Sequence, residues 1–389
     1  MIEAVKEESK KRTLRYGMIG GGPGSFIGIV HRSAIGLDGH SALVAGCFSS
    51  DPEKSRQTGE NLGVDPERIY ANAAEMAEKE TARQDGIDYA VITAPNSVHY
   101  DACKAFLEKG IHVFCEKPLA MSSKMAEELR DIAEKNGCIF CVGYTYTGHV
   151  MAKEAREIIR SGKIGEVKII VAEYIQDWLM DIVENESKQA SWRTDPKRSG
   201  ISNCVGDIGT HMENMVQYMT GLKISKLCAN LETIGEGRTL DTNAEILVKY
   251  DNGASGTFWC SQVACGYDNA FKIRIFGTKG AVEFDQEASN YLKVSIKGQA
   301  PQLYSRGCGY IRPEAAAYSR LPSGHPEGYH DALANLYLDF TAAIHNKLAG
   351  GEPADEPAYP TAQMGIDGVK FIEKCVESSS KGSVWVDMD

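Results

Sequence analysis

Three short stretches of this 389-residue chain carry residue types that can do chemistry. The first is Gly20-Gly21-Gly22-Pro23-Gly24-Ser25-Phe26-Ile27-Gly28, directly after an apolar, strand-like run. A glycine-rich turn in that place lets backbone N–H groups approach a pyrophosphate at the start of the next helix. The spacing departs from G-x-G-x-x-G: Gly20 and Gly22 fit, Ser25 stands where the third glycine belongs, and Gly28 closes a longer turn. The second stretch is Cys115-Glu116-Lys117-Pro118-Leu119, which puts a lysine at the carboxyl edge of a sheet, where open α/β sheets bind ligands. Pro118 disfavours helix at Lys117 and predicts an extended turn. The third is Gly206-Asp207-Ile208-Gly209-Thr210-His211. Asp207 and His211 share one face if this segment opens a helix, and a carboxylate beside an imidazole is a general-base arrangement. Taken singly, each has a plainer explanation: a tight turn, a solvated lysine, a capped helix start.

These side chains act only where the fold delivers them. Residues 14–19, 42–48, 89–94, 112–115 and 139–142 read as apolar strands, with helical stretches such as 101–109 and 122–135 between them. That alternation predicts a doubly wound parallel sheet of the Rossmann type, an α/β architecture. Ala94-Pro95-Asn96, trailed by His99, follows one of these strands as a loop placed to pass under an adenosine ribose. After Gly143 the rhythm changes. A helix over 151–161 is followed by strands at 167–175, 226–234, 244–250, 254–263, 271–276 and 281–284. Asp251-Asn252-Gly253 and Gly277-Thr278-Lys279-Gly280 are hairpin signals, so a C-terminal α+β domain with an open, mainly antiparallel sheet is expected. Residues 298–324 lack a regular pattern, and helices at 331–347 and 361–378 close the chain. The expected division is a polar arm over 1–12, a Rossmann domain over 13–143 and a substrate-binding domain over 144–389.

Composition narrows the partners. Lys and Arg number 42 against 53 Asp and Glu, a net charge of −11, which disfavours nucleic acid and anionic membrane as main partners. No apolar run approaches the roughly 20 residues of a membrane span. The N-terminus lacks the apolar core of a secretion signal, so a cytoplasmic protein is expected. The 11 cysteines are scattered through apolar segments, as for buried thiols in a reducing compartment. Cys138 and Cys141 form a lone C-x-x-C without a second pair at zinc spacing, and no metal is expected.

The combination of Glu116-Lys117-Pro118, Ser161-Gly162-Lys163-Ile164-Gly165, Ser191-Trp192-Arg193, the Asp207 and His211 pair and the helix ending in Glu377-Ser378 resembles the Gfo/Idh/MocA oxidoreductases, from Leu14 to about Val386. The resemblance implies a nicotinamide-dependent dehydrogenase and an oligomer, dimer or tetramer, formed through the C-terminal sheet. It implies that Lys117 contacts the reacting hydroxyl and that His211, partnered by Asp207, accepts its proton. Gly20, Gly22 and Gly28 would sit at the pyrophosphate, Pro95, Asn96 and His99 near the adenosine ribose, and Glu116, Trp192 and Arg193 at the nicotinamide end. Ser49 and Ser50 stand at the end of the second strand, where an acid usually binds both ribose hydroxyls. NAD is the expected cofactor, because no Arg follows Ser49, although Lys54 and Arg56 leave NADP open.

Two further stretches, Tyr174-Ile175-Gln176-Asp177-Trp178 and Gly324-His325-Pro326-Glu327-Gly328-Tyr329, are similar to the levoglucosan dehydrogenase-like and glycoside 3-dehydrogenase-like branch of that family. They imply a sugar or glycoside oxidised at a ring secondary hydroxyl, C3 first. Trp178, Tyr146 and Tyr329 would stack on a pyranose face, while Gln176, Asp177 and His325 read hydroxyls. A cyclitol such as an inositol is the alternative, since any ring secondary alcohol needs the same base and cofactor. A binding protein that senses NAD(H) without catalysis is a third reading, disfavoured because it has no need for both Lys117 and the Asp207–His211 pair.

Overall fold

Apolar runs that must be covered on both faces dictate the first half of the molecule. In the computed structural model, which describes residues 12–184 and 187–389, they form a 5-stranded parallel sheet. Its strands are β1 (Leu14–Gly20), β2 (Ser41–Cys47), β3 (Tyr89–Thr93), β4 (His112–Cys115) and β5 (Phe140–Val142), in the order β2-β1-β3-β4-β5. Every residue of β3 and β4 is buried, as expected of central parallel strands with helices on both sides. The expected arm over 1–12 lies outside the described residues except for Arg12, whose guanidinium pairs with Asp88.

The crossover helices start where short polar side chains can cap them. Ser25 caps α1 (Phe26–Leu37) by accepting from the N–H of Gly28, and Asp51 caps α2 (Pro52–Asn61) through the N–H groups of Glu53 and Lys54. Asn72 caps α3 (Ala73–Thr81). The fourth helix, α4 (Asn96–Leu107), begins five residues ahead of the expected start at 101. Pro95 immediately precedes it, where a missing N–H costs nothing, so Asn96 to His99 form its first turn rather than a loop. Helix α5 (Ser123–Lys135) completes the crossovers.

The chain divides into two compact units, the first comprising the chain to Ala120, Lys124–Gly143 and Leu333–Gly365. The expected single boundary at residue 143 does not include that last return. The second unit comprises Met121–Ser123, Tyr144–Ala332 and Ile366–Asp389. Its centre is a 9-stranded sheet in the order β13-β12-β11-β10-β6-β9-β8-β7-β14. The central strands are β6 (Val167–Ile175), β7 (Ile224–Glu232), β8 (Asn243–Tyr250), β9 (Ser255–Ser261), β10 (Ala270–Gly277) and β11 (Gly280–Asp285). The two hairpin signals pair β8 with β9 and β10 with β11 antiparallel, while β6 runs parallel to β9.

Strands β12 (Tyr291–Ile296), β13 (Gln302–Ser305) and β14 (Val386–Asp387) extend the sheet beyond the expected set, and β13 lies inside the stretch read as patternless. Along β8 burial alternates, so one face packs into the core and the other stays open. The core face meets α6 (Val150–Arg160) and a later helix, Thr210–Thr220, through residues such as Ile158, Met215 and Phe258. Among the described residues no helix is long and apolar enough to cross a membrane.

Candidate active site

In the first unit, the turn after β1 is built to carry no side chains. Gly20 and Gly21 take φ values of +87° and +77°, a region that disfavours L side chains. A Cβ at Gly22 would lie 2.5 Å from the Phe48 carbonyl oxygen, and one at Gly28 would lie 2.3 Å from the Gly21 Cα. Gly28 is therefore the close-packing glycine that lets α1 start directly over the strand end, and the bare turn fits a pyrophosphate cradle. Arg32, which sequence reasoning passed over, donates to the Gly21 carbonyl at 3.0 Å and ties the turn to α1.

At the end of β2, Ser49 is half-buried and its hydroxyl accepts from the Asp51 N–H at 3.1 Å, while Ser50 is exposed. The cations considered for a 2′-phosphate are already matched by carboxylates. Lys54 lies 3.7 Å from Asp51, and Arg56 bonds both Glu53 and Glu60.

Pro95 flanks α4 and Asn96 is buried. His99 stands in the first turn of the same helix. Its ring is 1% exposed, with Nδ1 facing the Pro118 carbonyl at 2.8 Å and Nε2 facing the Ala94 carbonyl at 2.9 Å. Burial lowers its pKa despite those two acceptors. Both nitrogens face backbone carbonyls, one in the Pro118 turn and one in the Ala94 turn, and the neutral ring donates to one of them.

Beyond β4, Glu116 is buried, Lys117 is half-buried, and the Lys117–Pro118 peptide is cis. Glu116 Oε1 lies 2.8 Å from His31 Nε2, whose Nδ1 lies 2.6 Å from the Tyr337 hydroxyl. The other oxygen, Oε2, accepts the Lys117 N–H at 3.2 Å.

In the second unit, the segment carrying Asp207 is not α-helical. Val205–Gly209 forms one wide π-turn that opens α9 (Thr210–Thr220), so Asp207 sits in the wide turn and His211 in the first α turn. This corrects the expected single helical face. Asp241, which sequence reasoning missed, pins the turn. Its carboxylate accepts from the N–H groups of Asn203 and Val205 at 2.9 Å each and from the Ser202 hydroxyl at 3.0 Å. Burial raises its pKa against the pull of those donors.

Asp207 Oδ2 accepts from Arg193 Nε at 3.1 Å and from Gln262 Nε2 at 3.0 Å. Gln262 in turn accepts from Asn203 at 2.7 Å, closing a network back to Asp241. Arg193 also lies over the Trp192 ring at 4.4 Å, and both stand on α7 (Lys188–Arg193).

His211 is 7% exposed and enclosed by rings, with Tyr146 at 4.7 Å and Tyr144 at 5.8 Å. Tyr146, 5% exposed, also meets Tyr174, Phe271, His149 and Tyr329, so it packs around His211 rather than offering an open stacking face. A polar string continues outward. The Tyr146 and Tyr174 hydroxyls are 2.5 Å apart, Tyr174 donates to Asn269 Oδ1 at 2.8 Å, and Gln176 donates to the same oxygen at 2.6 Å. Trp178 Nε1 donates to Gln176 at 2.9 Å, and Asp177 accepts the Gly266 N–H at 3.0 Å. Tyr174 as a hydroxyl partner and Asn269 had no signal in local pattern. His325 is exposed on a loop held by Arg306, which donates to the His325 carbonyl and is paired with buried Glu327 at 2.8 Å. Burial lifts the Cys138 thiol to about 11 and Cys141 well above the ordinary thiol value, so neither is a ready thiolate.

Comparison with known proteins decides the family. A family model described as an oxidoreductase family with an NAD-binding Rossmann fold matches residues 14–144, and the GFO/IDH/MocA C-terminal domain matches residues 152–283. An uncharacterized oxidoreductase, YfiI, of Bacillus subtilis (strain 168) is 39% identical over 97% of each chain. The chain belongs to the Gfo/Idh/MocA oxidoreductases. It is an NAD-dependent oxidoreductase, in keeping with the paired cations at α2 and the bare glycine turn. An inositol dehydrogenase homolog from Azotobacter vinelandii, crystallised with NADH and myo-inositol, is 36% identical with a TM-score of 0.90, covering 97% of this chain and 98% of that one. Levoglucosan dehydrogenase of Pseudarthrobacter phenanthrenivorans is 28% identical over 76% of this chain and 79% of its own length.

Proposed function

We propose that this oxidoreductase oxidises a secondary ring hydroxyl of a cyclitol or sugar to the ketone. The observation that carries the reading is His211, an imidazole held in an aromatic enclosure at the head of a helix, beside a turn whose carboxylate is bonded by Arg193 and Gln262. Bound NAD supplies the hydride acceptor, and Gly20, Gly22, Gly28, Ser49, Ser50, Pro95 and Asn96 are the residues assigned to hold it. Lys117 polarises the hydroxyl oxygen as a cation. Neutral His211 takes the hydroxyl proton, with Asp207 stabilising the charged ring that results. Protonation by acid therefore removes the base, and the oxidation rate falls on that side. Glu116, Trp192 and Arg193 are assigned to the nicotinamide end.

A myo-inositol-like cyclitol leads, supported by identity to the homolog crystallised with myo-inositol. Oxidation at C3 of a glucoside is the second reading, favoured by the Trp178–Gln176–Asn269 string, whose amide and indole groups suit a hydroxyl-rich ligand at Gln176, Asp177, Trp178, His325 and Tyr329. NMR analysis of products from myo-inositol and from methyl glucoside separates the two. Inosose alone supports the first, a 3-keto-glucoside alone supports the second, and turnover of neither overturns the reading. Assembly through the open face of the large sheet, where Ile169 is 54% and Leu247 48% exposed, belongs to the same proposal and is checked by light scattering.

A further inference from the structure

Three residues far apart in the chain meet behind Lys117. His31 lies on the buried face of α1 with Val30, Ala34 and Ile35, and is fully enclosed. Tyr337 stands on α11 (Tyr329–Leu348). The His31 ring is clamped edge-on by Phe114 at 5.5 Å and by Tyr337 at 5.8 Å, while Phe114 and Tyr337 stack at 4.4 Å. Held between them, the ring aims one nitrogen at the Tyr337 hydroxyl and the other at Glu116. Room for the carboxylate is built in as well: a Cβ at Gly143 would lie 2.6 Å from Glu116 Oε1.

An apolar core with no polar groups would be cheaper here than a buried Tyr–His–Glu string, because every member must be satisfied or it costs stability. The string ends on the residue whose other oxygen holds the Lys117 backbone. We infer that Tyr337 and His31 are positioning residues for Lys117, acting through Glu116: they fix its carboxylate and so fix the placement of the lysine. This rests on the dehydrogenase reading only for what Lys117 then does.

The protonation sense follows from the geometry. With Glu116 ionised, His31 Nε2–H donates to it and the Tyr337 hydroxyl donates to Nδ1. Burial opposes charge on Glu116, but the His31 hydrogen bond and the nearby charges outweigh it and hold its pKa below the ordinary value. The titratable groups around Glu116 are His31 from α1, His99 from α4, Lys117 from the turn, Cys115 and Cys141 from the strands and Tyr337 from α11. Removing the His31 donor leaves a buried carboxylate short of a partner. It takes up a proton, and Lys117 loses its neighbouring negative charge.

The test is His31→Phe and His31→Gln in the full chain, reading the Glu116 carboxyl titration by NMR of protein carrying isotope-labelled glutamate, assigned with Glu116→Gln. The expected result for His31→Phe is a rise in the Glu116 midpoint of about one pH unit or more. Turnover falls about tenfold, with the KM for NAD little changed. His31→Gln, which keeps a donor toward Glu116, restores most of both. An unchanged midpoint in His31→Phe, or a His31→Gln variant as impaired as His31→Phe, overturns the inference. If His31→Phe does not fold, Tyr337→Phe removes a single hydroxyl and must raise the midpoint by a smaller amount; no change overturns the relay. Wild-type protein that turns over neither polyol defeats the dehydrogenase reading, while the Glu116 midpoint still decides the relay.

Discussion

Glu116 in the first unit and Glu213 in the second are each 7% exposed, and they titrate in opposite directions. Glu116 has a donor on each oxygen and a lysine beside it, so its carboxyl falls below the ordinary range. Glu213, two residues beyond His211 on α9, is raised well above it by burial and by the negative charge of Asp367, with Lys223 only partly offsetting. Its Oε2 has no hydrogen-bond partner among the described residues. Equal burial with opposite outcome shows that partners, not depth, decide whether a carboxyl keeps its charge. One glutamate, which we assign to the nicotinamide end, is held charged by its partners. The other is a core residue, pushed by burial towards its protonated form, that neighbours a catalytic candidate.

That contrast is sharpest in activity. His211→Ala should lower turnover by about 10²–10⁴-fold, the range for a lost general base, whereas Glu213→Gln should leave turnover within about twofold. Steady-state kinetics with NAD in excess measures both, and a Glu213→Gln loss comparable to His211→Ala would break the distinction. Next in size is Glu116→Gln, expected to cost about 10–10²-fold in turnover through misplacement of Lys117. Here the carboxylate matters as well as its cationic neighbour, and a variant with wild-type kinetics would remove Glu116 from the site.

Stability versus pH reads the same contrast with opposite signs. Glu116, lowered in the folded state, contributes stability above the unfolded carboxyl pKa and loses it as pH falls through the folded value. Glu213, raised, contributes stability below the unfolded carboxyl pKa and loses it as pH rises. Glu213→Gln should therefore raise the Tm at neutral pH by about 2–4 °C and make no difference near pH ~4. Equal shifts at both pH values would contradict the protonated assignment. The smallest effect is at His149, whose buried ring is lowered to about 4 by desolvation. It stays neutral in the fold while the unfolded ring charges, so stability is lost as pH falls from about 6.5 towards 4. His149→Phe should flatten that part of the melting profile by about 1–2 °C.

What was legible in the sequence was local. The glycine turn, the Lys117 turn and the hairpins at 251–253 and 277–280 are short patterns with one physical cause each, and their elements appear where expected. The missed features are long-range. His31 meets a residue 85 positions away and another 306 away, and on its own helix it reads only as one member of a buried face. Asp241, Gln262 and Asn269 reach the site from loops and strand ends whose polar residues carry no periodicity. The π-turn at Val205–Gly209 depends on Asp241, 36 residues from Val205, and no local propensity announces it. The surroundings of His99 are a like case, since the two carbonyls its ring faces belong to different turns.

The central claim is that a ring C–H leaves as hydride while its hydroxyl gives up a proton. The most direct measurement uses myo-inositol deuterated at every ring carbon, or the equivalent glucoside, with the holoenzyme and NAD, and follows the label by NMR. The account predicts one deuteron per ketone formed, found on C4 of the reduced nicotinamide, and a rate that collapses in His211→Ala. Reduced nicotinamide without the deuteron, or product formed without reduced cofactor, would contradict it.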